Sequence, residues 1–224
     1  MLKKFYEDNL YPLQDKVLHI IADCNTPLYL TGGTALSRFH LHHRYSDDLD
    51  FFINRDADFT QYIKLISNRI TEKFLVKIAI SDTDFARIHV FENETELKVE
   101  FINDVAFHYG EFTFPNGWKV DNALNILSNK LTALSRNAPK DFADILFLSL
   151  NFPFNWIEVF EAAKAKDAWI NELYAVEIFD KFDINQLESV NWIEKFNIER
   201  YQSSFKTIAK DILLGSDNSI YGKD

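Results

Sequence analysis

Apolar residues recur along this chain with two different periods, and the balance between them shifts near residue 120. Up to that point short apolar runs alternate with stretches of helical spacing. "DKVLHIIADC" reads as a helix, "LYLTGG" as a strand ended by glycines, "TALSRFHLHH" as a short helix and "LDFFIN" as a second strand. A helix over "FTQYIKLISNRITEKF" follows. Three strands come next, at "LVKIAI", "FARIHVFE" and "ELKVEFINDV", the last with clear alternation of apolar and polar positions. Beyond them Leu124, Leu127, Leu131 and Leu134 repeat at helical spacing, with Asp121 in position to cap their helix. Pro139 interrupts, "KDFADILFLSL" starts another helix, and "WIEVFEAAKAKDAWINELY" and "YQSSFKTIAKDILL" continue the helical pattern around aromatic anchors. The tail "GSDNSIYGKD" reads as a frayed end. The prediction is an α+β chain: a mixed β-sheet with flanking helices over residues 1–119, then a helical C-terminal half over residues 120–224.

Composition narrows the class. The 224 residues suffice for one large domain or two small ones, and 47% hydrophobic residues with 21 phenylalanines make an ordinary globular chain. A formal charge of -10 argues against a broad nucleic-acid-binding surface, while leaving room for a local basic groove or an acidic site neutralised by bound cations. Cys24 is the only cysteine, so no internal disulfide forms; it reads as packing near a helix end. "MLKKFYEDNLYPLQ" lacks an apolar targeting core and no window approaches membrane-spanning length, so a cytoplasmic protein with no membrane partner is expected.

Two carboxylates one residue apart open the second strand. In an extended chain Asp48 and Asp50 share a face, while Leu49, Phe51 and Ile53 turn to the core. Like charges so close repel, and a positive group belongs between them. Mg²⁺ suits such oxygen ligands and keeps waters free for a substrate phosphate. A solvated acidic strand start explains the pair equally well when it is taken alone. Gly32 and Gly33 alter that balance, because they follow an apolar strand and precede a helix starting near Thr34, where backbone can approach a phosphate. No G-x-x-x-x-G-K-[ST] is present, which sets a Walker-type site aside. A phosphate cradle and a metal dyad in consecutive elements point to phosphoryl or nucleotidyl transfer. His40, His42 and His43 crowd together, but zinc needs further ligands that the chain does not place nearby.

At this point a family resemblance emerges. "GGTALSRFHLHHRYSDDLDFFI", with His43, Arg44, Ser46, Asp48, Leu49, Asp50, Phe51 and Phe52, closely resembles the signature of the AbiEii/AbiGii nucleotidyltransferase toxins, within the DNA polymerase β-like nucleotidyltransferase superfamily. "NKLTALSRNAPKDFADILFL", with Lys130, Arg136, Asp141 and Asp144, resembles that family's second block. Together the blocks cover about residues 28–150. The resemblance implies a nucleotidyltransferase-type sheet and, on it, roles that follow the superfamily: Asp48, Asp50 and a third acid holding two Mg²⁺ ions. Glu100 is the candidate third acid and Asp104 the competitor. It further implies that Gly32, Gly33, Thr34, Arg44, Ser46, Lys130 and Arg136 contact the nucleotide, with Arg136 either binding phosphate or pairing with Asp141 or Asp144. Lys130 would offset charge on leaving pyrophosphate, and Asp141 would position it or act as a base. Lys130, beside the leucine stripe, is also open to a blander reading as a solvated lysine, Asp141 as a helix-start acid, and Glu100 as an exposed acid paired with a lysine.

The leading expectation is therefore Mg²⁺-dependent transfer of a nucleoside monophosphate from an NTP to an acceptor hydroxyl on tRNA or protein. By resemblance, the setting is the toxin of a bacterial type IV toxin–antitoxin or abortive-infection system with a cognate antitoxin. The alternatives are a catalytically weak nucleotide-binding module acting through a partner protein, and metal-dependent phosphate hydrolysis.

Overall fold

A computed structural model describes residues Leu2–Lys223. The chain divides into two compact units that interleave along the sequence. One takes the residues up to Ala35, Tyr45–Ala106 and Glu111–Asp121; the other takes Leu36–Arg44, Phe107–Gly110 and the residues from Asn122 onward. The segment from Leu36 to Arg44 thus belongs to the unit of the later helices, although strands of the other unit precede and follow it in sequence.

The first unit is built on five strands: β1 (Tyr29–Thr31), β2 (Leu49–Asn54), β3 (Leu75–Ser81), β4 (Phe85–Glu92) and β5 (Thr95–Asp104). They form one mixed sheet in the order β1-β2-β5-β4-β3, in which β2 and β5 run parallel and the other neighbours antiparallel. Alternation explains the faces. Leu49, Phe51 and Ile53 of β2 are buried while Asp50, Phe52 and Asn54 are partly open; in β5, Leu97, Val99 and Phe101 are buried while Lys98 and Glu100 take the other face. Phe51 and Phe101 are register partners and stack at 5.7 Å between ring centroids. A two-residue turn with Asn93 at φ +54° closes the β4–β5 hairpin.

Helices α1 (Leu2–Phe5), α2 (Tyr11–Asp23), α3 (Gly32–Leu36) and α4 (Phe59–Thr71) accompany these strands. Between α1 and α2 the chain stays helical with one π-type stretch, Tyr6–Leu10, so the N-terminal helical run begins well before the stretch read from sequence. In α4, Phe59, Ile63, Ile66 and Ile70 bury one stripe, and the helix packs on β3 and β4. Cys24 sits at the end of α2, where its thiol donates to the Ile20 carbonyl at 3.2 Å. No helix among the described residues is long and apolar enough to cross a membrane.

The second unit is helical: the π-helical stretch Ser37–Leu41, then α5 (Ala123–Thr132), α6 (Pro139–Asn151), α7 (Trp156–Lys166), α8 (Glu172–Lys181) and α9 (Ile198–Leu214). Asn122, not Asp121, caps α5, its side-chain oxygen accepting from the N–H groups of Leu124 and Asn125 at 3.1 and 2.9 Å. Asp121 is instead fully buried and accepts from the Thr31 hydroxyl at 2.6 Å. Helix α6 starts at Pro139 and buries residues on every side, which makes it the centre of the unit. The helical stretch from Trp156 falls into two helices, with Asn171 starting α8 by accepting from the Tyr174 N–H at 2.9 Å. The tail is not frayed. Asn218 donates to the carbonyls of Ser149 and Phe152 at 2.6 and 2.9 Å, and Ile220 is only 4% exposed. Satisfying the carbonyls at the end of α6 gives this polar segment a reason to dock. Asp224 of that tail lies outside the described residues.

Candidate active site

The first unit gathers Asp48, Asp50 and Glu100. Asp50 is the register partner of Thr31 across β1–β2 and of Glu100 across β2–β5, so strand pairing alone sets the two acids side by side on one face. Asp104 lies opposite Asn54, four residues further along β5 and on the order of 13 Å away at strand rise. Asp48 precedes β2 and is held through its backbone. The buried Thr34 hydroxyl donates to its carbonyl, and Gln14 of α2 donates to the Ser46 and Asp47 carbonyls at 3.1 and 3.0 Å. Tyr6 hydrogen-bonds the Asp47 carboxylate and stacks on Tyr45 at 4.3 Å. Ser46 is itself buried, its N–H facing the Tyr11 hydroxyl at 3.4 Å.

Gly32 follows β1 with φ +69°, a conformation that costs other residues strain. A Cβ there would fall on Asp50 Oδ2 and lie 3.2 Å from Asp50 Cβ and Cγ. The first glycine therefore both turns the chain and leaves the space that the Asp50 carboxylate occupies. Gly33 is the next residue of α3 and is partly exposed.

Two cations complete the group. Lys98 Nζ lies 2.9 Å from Asp48 Oδ2 and 3.4 Å from Glu100 Oε1, and Arg87 places Nε at 2.6 Å and Nη2 at 2.5 Å from the same Glu100 oxygen. Burial pushes the Glu100 carboxyl up, but the Lys98 and Arg87 charges and hydrogen bonds outweigh it and hold Glu100 below the usual carboxylate range. Burial likewise opposes the Lys98 charge, and the Asp48 bond with the Asp48, Glu100 and Asp50 charges reverses the balance, raising Lys98. Among the described residues, no three acidic, histidine or cysteine side chains are already drawn together as a metal cage. The donor set is nonetheless that of a hard divalent cation. An ammonium ion bridging Asp48 and Glu100 shows that this spot accepts positive charge, so the residues fit such a group.

The second unit holds the other block in a buried ion cluster. Asp144 is fully buried and accepts from Arg44 Nε at 2.7 Å and Nη2 at 2.8 Å; His43 Nε2 lies at 2.9 Å and Lys130 Nζ at 2.7 Å from the same carboxylate. Lys130 also donates to Asp141 Oδ1 at 2.7 Å, and the exposed Arg136 reaches Asp141 Oδ2 at 3.4 Å. Arg44 and Lys130 thus meet carboxylates where a phosphate was expected of them. Desolvation opposes the Asp144 charge, yet Arg44, Lys130 and His43 hold that carboxyl well below its ordinary value. Burial pushes His43 below its ordinary value, more than Asp144 raises it, so Nε2–H of a neutral ring donates to Asp144.

Sequence reading missed Gln14, Lys98 and Arg87 as parts of the site. Gln14 carried a signal, a polar side chain inside the apolar stripe of α2 between Leu13 and Val17. Lys98 shares the face of Glu100 in β5 by parity, but its contact with Asp48 depends on β5 lying beside β2. Arg87 carried no signal short of the β4–β5 register, which makes it the partner of Glu100.

Known proteins bear on this geometry. The family model for the nucleotidyl transferase AbiEii toxin of type IV toxin–antitoxin systems matches residues 20–218. Among curated proteins none matches. Two solved Helicobacter pylori structures share the fold: JHP933 (TM-score 0.58, 21% identity, 88% of this chain and 89% of that one covered) and a provisionally assigned nucleotidyltransferase (TM-score 0.58, 21% identity, 88% and 92%). With a family match running over nearly the whole chain and the acidic sheet face described above, the chain belongs to the AbiEii nucleotidyl transferase toxin family of type IV toxin–antitoxin systems.

Proposed function

We propose that this nucleotidyltransferase is Mg²⁺-dependent and moves a nucleoside monophosphate from an NTP to an acceptor hydroxyl on tRNA or on a protein, as the toxin partnered by a cognate antitoxin. The observation that carries the reading is the pairing of Asp50 with Glu100 across β2–β5, beside a glycine whose missing Cβ admits the Asp50 carboxylate. Bound Mg²⁺, as two ions, would supply Lewis-acid activation at the α-phosphorus and charge neutralisation on the leaving pyrophosphate. Asp48, Asp50 and Glu100 would hold them.

The remaining steps belong to the chain. Gln14 and Thr34 fix the backbone that presents Asp48, so its carboxylate needs little reorganisation. Arg87 keeps Glu100 ionised and oriented. Gly32 and Gly33, partly exposed and without side chains, would let the triphosphate approach the backbone, while buried Thr34 and Ser46 would serve that approach by holding the segment in place. In the second block, buried Arg44 and Lys130 are paired with Asp144 and Asp141 and would serve by fixing that block's geometry, while the largely exposed Arg136 would offer a phosphate contact.

The test incubates the protein with Mg²⁺, each α-labelled NTP, and total RNA or total protein. Label on an acceptor with release of pyrophosphate is expected, and Asp48→Ala or Asp50→Ala should lose about 10²-fold or more while remaining folded. Nucleotide binding without pyrophosphate release would favour a binding module. Release of inorganic phosphate or monophosphate with no labelled acceptor would favour hydrolysis.

A further inference from the structure

Lys98 lies outside both sequence blocks that mark the family resemblance, yet its ammonium sits at the centre of the acidic group. It projects from β5 on the same face as Glu100, with Val99 between them turned to the core. Its Nζ joins Asp48, from the segment before β2, to Glu100, from β5. Glu100 already has Arg87 at 2.5 and 2.6 Å on the same oxygen, so Lys98 is the group that compensates Asp48. Arg87 and Lys98 are thus the cations that meet Asp48 and Glu100. Of these, Arg87 holds Glu100 through two nitrogens on one oxygen, whereas Lys98 reaches the acids with a single nitrogen on a flexible four-carbon stem; the two side chains are similarly exposed, 35% and 30%. One of the two is built to stay and the other to leave.

We propose that Lys98 is a resident, displaceable counter-cation: its ammonium holds the Asp48–Glu100 position while the site is metal-free, yields it when a divalent cation binds, and then turns to the phosphates of the nucleotide. The phosphate half rests on the nucleotidyltransferase reading above; the exchange half rests only on the carboxylates. No bond is made or broken. One charge–charge contact, ammonium to Asp48 Oδ2, is replaced by another, and Lys98 keeps its proton throughout.

The experiment is a Mn²⁺ titration of the full chain without nucleotide, read by loss of the free-ion EPR signal, on wild type, Lys98→Met and Lys98→Arg, with folding checked by circular dichroism. Lys98→Met should bind Mn²⁺ roughly two- to fivefold tighter than wild type, the range expected for removing one partly exposed competing charge, and Lys98→Arg should stay near wild type. With Mg²⁺ saturating, calorimetry with an α,β-methylene NTP analogue should show Lys98→Met binding it roughly two- to fivefold more weakly, with recovery in Lys98→Arg. Should Lys98→Met fail to fold, Lys98→Gln takes its place with the same expectation. Equal or weaker Mn²⁺ binding by the neutral variant overturns the inference even if nucleotidyl transfer is found. The expected order of Mn²⁺ affinities without transfer to any acceptor leaves the exchange standing and overturns the function reading. Absence of Mn²⁺ binding in every form overturns both.

Discussion

Replacing Asp144 by alanine tests the claim that the second sequence block is held by buried charge. The carboxylate is fully buried and receives Arg44 through two nitrogens at 2.7 and 2.8 Å, Lys130 at 2.7 Å and His43 at 2.9 Å. Arg44 and Lys130 balance Asp141 and Asp144, and alanine leaves two cations against one carboxylate. Removing one partner from a buried pair costs about 3–5 kcal/mol, a large share of the roughly 5–15 kcal/mol that stabilises an ordinary domain. At about 2–4 °C per kcal/mol for a chain of this size, the midpoint should fall by about 10 °C. Asp48→Ala is the control, since it breaks a contact with the partly exposed Lys98 worth about 1 kcal/mol or less. Thermal melts should be followed by circular dichroism and by tryptophan fluorescence, because Trp156 and Trp192 belong to the unit that contains Asp144 and the two units need not melt together. An Asp144→Ala midpoint within about 2 °C of wild type would refute the reasoning.

Other consequences follow from the same geometry. Gly32→Ala forces a side chain into a left-handed position, costing about 1–2 kcal/mol, and drives a Cβ onto the Asp50 carboxylate. Nucleotidyl transfer should drop about 10²-fold, and a variant of full activity would show that Asp50 does not need that space. Folding stability should also decline as pH falls. Buried His43 has its pKa lowered, so the unfolded chain takes up a proton near pH 6.5 before the folded one does; the stabilisation is complete above 6.5 and is lost as pH falls toward the lowered folded value. Urea unfolding between pH 7.5 and 5 should therefore show a shallower loss for His43→Gln than for wild type, and parallel slopes would rule the assignment out.

How much of this was legible beforehand depends on the range of each interaction. Alternation along "LDFFIN" and "ELKVEF" identified the strands and their polar faces, because the period of a strand is a local property. Helical spacing did the same for α4, α5 and α6, and the order of the two blocks pointed to the family. Periodicity says which way a side chain points and nothing about what it meets. The cap of α5 moved by one residue because Asp121 found the Thr31 hydroxyl ninety positions away, and the polar tail was secured by carbonyls at the end of α6.

By itself, then, the sequence determined the strands and the central helices, the acidic strand opening, the glycine turn before it and the membership that their order implies. Tertiary structure alone decided that β5 runs parallel to β2 with Glu100 and not Asp104 opposite Asp50, that Lys98 bridges Asp48 to Glu100, and that Arg44 and Lys130 converge on Asp144. The division is physical. Backbone propensity and side-chain period act over a few residues, whereas register and the pairing of buried charges are set by which distant surfaces exclude water together.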